Sequence, residues 1–256
     1  MDFLTGSLRV NERDFRRLLR EQGPSLGLWR AAEVAALREQ IYHRPILDVG
    51  CGDGFVMSLA LPKIDIGLDP DDAAIARART HHVYAHFEAV GVEDSSIDDG
   101  SIGTVVSNSV LEHLPGIDNV LQRIARMLRV GGRLIFTAPT QLFSKSLLLP
   151  FDRYVQWRNA HLLHVNLWSL GLWQAHLRQA GFEVEKVRCY LRPSLVRLWD
   201  LLELPQLIRL GGQRPFGTLW QYLPPGIIAM VARQGARLDL SAPSPGGGSL
   251  IVARKI

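Results

Sequence analysis

The stretch ILDVGCGDG, Ile46 to Gly54, sets an acid, Asp48, and three glycines, Gly50, Gly52 and Gly54, between two apolar runs. Ile46, Leu47 and Val49 read as a strand that ends at Gly50, and Phe55 to Leu61 as the helix that follows. The glycines therefore occupy a strand-to-helix corner. Without β-carbons such a corner lets a ligand touch the backbone, and the opening turn of the helix offers it unpaired N–H groups. One glycine would serve a plain tight turn, whereas three alternating glycines behind an acid predict a ligand loop. A second acid, Asp69, follows Gly50 at about 20 residues, the spacing of a carboxylate that accepts ribose hydroxyls. A dinucleotide fingerprint requires G-x-G-x-x-G, and Phe55 stands where its third glycine belongs, which counts against an NAD-dependent oxidoreductase.

The elements that must hold this corner are legible as an alternation. Strands are predicted at 46–50, 64–68, 104–108 and 133–138, with a weaker one near 84–90, and helices at 54–61, 71–80 and 117–129. Ile117, Val120, Leu121, Ile124, Ala125 and Leu128 form one apolar stripe before the glycines of VGG stop the helix. A further helix is capped by Ser169 and stopped by Gly181, a strand spans 182–190, and SLIVARKI supplies the last strand. Strand and helix in alternation predict an α/β fold with a parallel, doubly wound, Rossmann-like sheet.

Ahead of the corner, Leu28, Ala31, Ala32, Ala35 and Ala36 mark an amphipathic helix, and Arg13, Arg16, Arg17 and Arg20 an earlier charged helix face. PSPGGGS, residues 243–249, reads as a flexible turn. Two connections are unusually long, 140–168 and 191–247, and loops of that length carry function. The expected organisation is a single domain, 1–256. Within it stand N-terminal helices at 1–44, a core at 45–190 and 248–256, and lid insertions at 140–168 and 191–247, after the fifth and sixth strands.

Composition is that of a globular protein: 256 residues, 47% hydrophobic, 21% charged, with a net charge of +4 that by itself does not imply nucleic acid. Two cysteines, Cys51 and Cys189, one of them inside the glycine loop, fit a reducing cytoplasm. The N-terminal residues lack the apolar core of a signal peptide, and no apolar run reaches the roughly 20 residues of a spanning helix.

ILDVGCGDG, IGLDPD, DDGSIGTVVSNSVLEHL and IARMLRVGGRLIFTAP together resemble the class I S-adenosylmethionine-dependent methyltransferases, in particular the small-molecule, quinone-biosynthesis-like type 11 branch. The resemblance covers about residues 28–190 and the last strand, and it implies a seven-stranded sheet and S-adenosylmethionine as cofactor. It places Asp48, Gly50, Cys51 and Gly52 around the methionine end, Asp69 on the ribose hydroxyls and Pro70 against the adenine face. Main chain at Val92 and Glu93 would meet the adenine edge, and Asn108 would offer its carbonyl near the ammonium. Gly91 departs from the pattern, since many relatives carry an acid there.

Methyl transfer from a sulfonium needs chiefly an aligned acceptor in a dry site. If a hydroxyl is methylated, His113 in LEHLP is the candidate catalytic base, with Glu112 ranked behind it. His161 with His164, and His81, His82 and His86, read as surface or packing residues, so no metal is expected. The stretch SNSVLEHL lacks the Asn/Asp-Pro-Pro-aromatic grip of amino-methylating DNA enzymes, and no Pro-Cys nucleophile occurs, so the expected partner is a small molecule and no nucleic acid. Leucine, tryptophan and arginine in the two long segments, including Arg192, Arg197, Arg209 and Arg214, suggest an apolar or lipid-linked acceptor and weak peripheral membrane contact, and leave the oligomeric state open. The alternative from another class is a non-catalytic cofactor-binding or scaffold protein.

Overall fold

Parallel strands need crossovers of a dozen residues or more, and the alternating segments supply them. The computed structural model describes residues 1–163, 165–208 and 220–256. In chain order its strands are β1 (Asp2–Phe3), β2 (Ile46–Val49), β3 (Ile64–Leu68), β4 (Tyr84–Glu88), β5 (Ile102–Asn108), β6 (Leu128–Pro139), β7 (Phe182–Tyr190) and β8 (Gly248–Lys255). They form one sheet in the order β1-β7-β8-β6-β5-β2-β3-β4. β8 runs antiparallel between β6 and β7, and the other neighbours pair parallel. The expected doubly wound sheet is present, with one strand more than the expected seven: β1 adds to the edge of β7 through Asp2↔Lys186 and Phe3↔Val187. Two residues carry no alternation, so that strand left no signal in the sequence.

The helices are α1 (Glu12–Arg38), α2 (Phe55–Ala60), α3 (Asp72–Ala78), α4 (Ile117–Met127), α5 (Gln141–Lys145), α6 (Asp152–Leu162), α7 (Leu170–Gln179), α8 (Pro193–Glu203) and α9 (Pro225–Gly235). The two N-terminal helical segments merge into α1 across a kink, where Gly23 takes φ 77 and ψ 179 ahead of Pro24. Proline has no N–H to continue the ladder, and glycine alone accepts that φ without strain. Asn11 caps α1 through the Asp14 N–H at 2.9 Å, and Asp71 caps α3.

Strand periodicity sorts the core into two layers. Ile46, Val106, Ile135 and Leu250 face α1, α2, α8 and α9, while Leu47, Val105, Leu134 and Ile251 face α4 and α7. The two long connections are therefore not structureless. They hold α5 and α6, and α8 and α9, and the latter pair packs on α1. Among the described residues no helix is long and apolar enough to cross a membrane.

The expected flexible turn at 243–249 is corrected by the structure. Gly246, Gly247 and Gly248 are buried, and a Cβ there would lie 2.4 Å from the Tyr190 carbonyl oxygen, 2.4 Å from Val196 Cγ2 and 2.3 Å from the Tyr190 ring respectively. These glycines permit close approach of backbone to β7 and α8, a use that sequence alone does not distinguish from looseness. Gly248→Ala is expected to destabilise the fold by about 1–3 kcal/mol through overpacking against Tyr190, read as a lower urea midpoint at unchanged slope.

Candidate functional site

β2 and β5 are neighbours at the point where the winding reverses, the place at which doubly wound sheets take ligands beyond the carboxyl ends of their strands. The glycine corner leaves β2 on that side. Gly50 and Cys51 both donate their N–H to the Leu68 carbonyl, at 2.8 and 3.0 Å, which folds the corner against the end of β3. Gly50 takes φ 73, and a Cβ on it would lie 2.5 Å from Val110 Cγ2, so both conformation and space require glycine. Gly52, at φ 54, faces open space, and its N–H donates to Asp69 Oδ2 at 2.8 Å. Asp69 Oδ1 accepts the Asp71 N–H at 2.9 Å, and exposed Pro70 stands between these two acids.

Asp48 is 1% exposed. Its Oδ2 accepts the Tyr84 hydroxyl at 2.6 Å, and its Oδ1 has no partner among the described residues. Burial pushes its pKa up to about 7, against the lowering effect of the Tyr84 bond and with a smaller contribution from Asp69. Burial likewise raises the Cys51 thiol well above its ordinary value, so it is no ready nucleophile. Val92 is buried and Glu93 exposed, on a short turn that closes through Asp94 N–H to the Gly91 carbonyl at 3.1 Å.

Asn108 ends β5, and its side chain is committed: Nδ2 donates to Glu33 Oε2 at 3.1 Å and Oδ1 accepts from Thr137 at 2.9 Å. Glu33, on α1, is fully buried and also accepts from Trp29 Nε1 at 2.7 Å, Arg30 Nη1 at 2.6 Å and Ser109 Oγ at 2.5 Å. Beyond this cluster lies a cavity of about 170 Å³, whose lining includes Trp29, Arg30, Glu112, His113, Phe143 and Trp199. Trp29, Phe143 and Trp199 meet edge to face, with centroids 5.2 to 5.9 Å apart. His113 donates from Nδ1 to the Leu163 carbonyl at 3.0 Å, and its Nε2 lies 3.8 Å from Glu112 Oε1.

The structure thus gathers Asp48, Gly50, Cys51, Gly52, Asp69 and Pro70 at one corner, Val92 and Glu93 after β4, and Asn108 with His113 after β5. Glu33, Trp29 and Phe143 were missed by sequence reasoning, whereas Trp199 is one of the tryptophans of the long segments that suggested an apolar acceptor. The signal for Glu33 was a lone acid among Ala31, Ala32, Val34, Ala35 and Ala36, whereas Trp29 and Phe143 stand in no motif. Among the described residues, no group of three or more His, Cys, Asp and Glu could hold a metal ion. His164, Arg209 and Arg214, singled out in the sequence, lie outside the described residues.

A methyltransferase-domain family model matches residues 11–187. A tRNA U34 carboxymethyltransferase of Pseudoalteromonas atlantica is 31% identical over 168 residues, covering 62% of this chain and 50% of that protein. The 27-O-demethylrifamycin SV methyltransferase of Amycolatopsis mediterranei is 29% identical over 175 residues, 62% of each. The chain spans about half the length of the first curated relatives it matches. A SAM-dependent methyltransferase of Thermotoga maritima superposes with a TM-score of 0.59 at 17% identity, covering 94% of this chain and 91% of that one, a likeness of fold.

The tRNA-modifying relatives overturn the expectation of no nucleic acid. That exclusion rested on motifs for methylating base amino groups, on the missing Pro-Cys nucleophile and on a net charge averaged over the whole surface, and none of these covers every position of an RNA. Family and architecture are those of enzymes that use S-adenosylmethionine as methyl donor. The chain belongs to the methyltransferase-domain family and has the class I S-adenosylmethionine-dependent methyltransferase fold.

Proposed function

We propose that the chain transfers the methyl group of S-adenosylmethionine to an oxygen or carbon atom of an apolar small-molecule acceptor, lipid-linked metabolites included. The observation that carries this reading is the aromatic-walled cavity beyond β5, to which both long connections contribute, Phe143 and Leu162 from one and Trp199 from the other. Such walls exclude water and take up an apolar body, while Arg30, Ser109 and Glu112 offer a few polar contacts that would orient it. Segments 140–168 and 191–247 then serve as the acceptor lid.

The residues at the corner fit the methyl donor. The unpartnered Oδ1 of Asp48 suits the ammonium of its methionine end, and the open face at Gly52 lets its carboxylate approach backbone N–H groups. Gly50 and Cys51 shape that turn. Asp69 keeps lone pairs for the ribose hydroxyls, with Pro70 against adenine, main chain at Val92 and Glu93 on its edge, and the Asn108 carbonyl near the ammonium. When bound, the donor supplies a methyl carbon already activated by its sulfonium. The part of this chain is to align an acceptor and to hold or move its proton.

A second reading is favoured by the relatives named tRNA U34 carboxymethyltransferase: a nucleoside in RNA as acceptor. Arg13, Arg17 and Arg20, exposed on the first turns of α1, would serve phosphate contacts. Incubation with tritiated-methyl S-adenosylmethionine separates the two. Label in a lipophilic small-molecule extract supports the first reading, label in total tRNA the second, and label in neither overturns both.

Two further outcomes test the donor site by calorimetry. S-adenosylmethionine and its demethylated product bind and NAD does not, and Asp69→Ala weakens binding roughly tenfold to a hundredfold by removing a charged hydrogen-bond partner. Because Asp48 must be ionised to pair with the ammonium and titrates at about 7, affinity rises about eightfold from pH 6 to pH 7.5. Asp48→Asn flattens that dependence. A wild-type profile already flat over this range would remove Asp48 from the site.

A further inference from the structure

Glu112 forms part of the cavity wall beyond β5, is 1% exposed, and leaves Oε2 without a hydrogen-bond partner among the described residues. An unpaired carboxyl oxygen beside an apolar cavity is a costly feature that a ligand bearing a hydroxyl would complete. The ionisable groups around it are Arg30 and Glu33 of α1, His113 next in the chain and Tyr190 of β7, with the Ser109 hydroxyl close by. Resting on the methyl-transfer reading, we propose that Glu112 is the catalytic residue that accepts the proton of an acceptor hydroxyl at Oε2, and that His113 takes this proton on to solvent once rotation of the carboxyl about Cγ–Cδ has brought the protonated oxygen to its side.

The geometry distributes these roles. His113 has Nδ1 fixed on the Leu163 carbonyl, which only accepts, so Nε2 is its basic nitrogen, and that nitrogen lies 3.8 Å from Glu112 Oε1. The imidazole is 40% exposed and can exchange with water, whereas Glu112 is 1% exposed. Burial pushes the Glu112 carboxyl up to about 8, with Glu33 adding to the rise. A carboxylate of that basicity takes a proton near neutral pH far better than an ordinary one. As the acceptor oxygen forms its bond to the methyl carbon, its O–H bond breaks and the proton moves to Oε2. The C–S electron pair stays on sulfur, and the positive charge of the sulfonium leaves as that proton.

The test uses a matched pair of probes, phenol and toluene, read by quenching of Trp29 and Trp199 fluorescence in the protein saturated with the demethylated donor. Phenol is expected to bind about tenfold more tightly than toluene to the wild type, and Glu112→Met to bind the two alike with toluene affinity unchanged. Equal binding by the wild type, a preference that survives in Glu112→Met, or binding of neither probe overturns the proposal. Glu112→Gln, which keeps the shape and cannot take the proton, retains the phenol preference. It lowers kcat about a hundredfold on whichever acceptor fraction the label identifies, with Glu112→Asp recovering part of the loss. A wild-type kcat in Glu112→Gln also overturns the proposal. Calorimetry with S-adenosylmethionine on the same samples keeps the two ideas apart: absence of donor binding overturns the methyl-transfer reading, whereas intact donor binding with no phenol preference overturns only the role of Glu112.

Discussion

The carboxylate of Glu33 joins the N-terminal helix to the end of the sheet at which the site lies. It is fully buried and receives four donors: two from its own helix, Trp29 and Arg30, and two from the end of β5 and the residue after it, Asn108 and Ser109. A buried carboxylate is tolerated only when its oxygens are paired, and removing one partner of such a pair typically costs about 3–5 kcal/mol because a charge is left stranded. The position of α1 is therefore fixed by polar geometry as well as by the apolar packing of Leu18, Leu28 and Leu37. Trp29 and Arg30, which line the cavity, are carried into place by the same helix.

Glu33 also sets the state of its neighbour. Arg30 is the cation of the cluster, and Glu33 takes it at 2.6 Å in an ion pair. Glu112, buried nearby and without an arginine or lysine ion pair among the described residues, is pushed towards the neutral form by desolvation first and by Glu33 second, with Arg30 opposing. Asp48, at the end of β2, follows the same logic: burial raises it and the Tyr84 hydroxyl bond opposes the rise. Two carboxyl groups thus sit near their neutral-to-charged midpoint at physiological pH, each with one oxygen unpartnered among the described residues. In both, ionisation opposes folding: stability from the raised values is full at acid pH and is lost as pH rises towards 7 for Asp48 and 8 for Glu112.

What the sequence disclosed follows the range of the forces involved. The corner at 46–54 was legible because each requirement there is local: a strand ending, a left-handed φ at Gly50 and Gly52, an opening helix turn. The alternation of elements was legible for the same reason, since side-chain period and glycine stops act within a few residues. Glu33 was not, because its partners Asn108 and Ser109 lie 75 and 76 residues away in the chain. Glu112 ranked behind His113 in the sequence, where neither its burial nor its place in the cavity wall leaves a local mark. Gly246 to Gly248 were misread because a glycine required by close packing and one required by a loose turn look identical in one dimension.

The division between donor corner and cavity carries over to the chain itself. Residues 11–187, the span of the family match, contain the glycine corner, Asp69, Glu33, Asn108 and Glu112. Trp199, which closes the aromatic triad, stands outside that span on α8, and α8 is held in place by packing on α1. A small-molecule acceptor and a nucleoside in RNA place the same demand on the first set of residues, an aligned and activated methyl carbon, and different demands on the second. The cavity wall straddles that boundary: Trp29, Arg30, Glu112, His113 and Phe143 lie inside the matched span, and Trp199 completes the wall from α8, outside it.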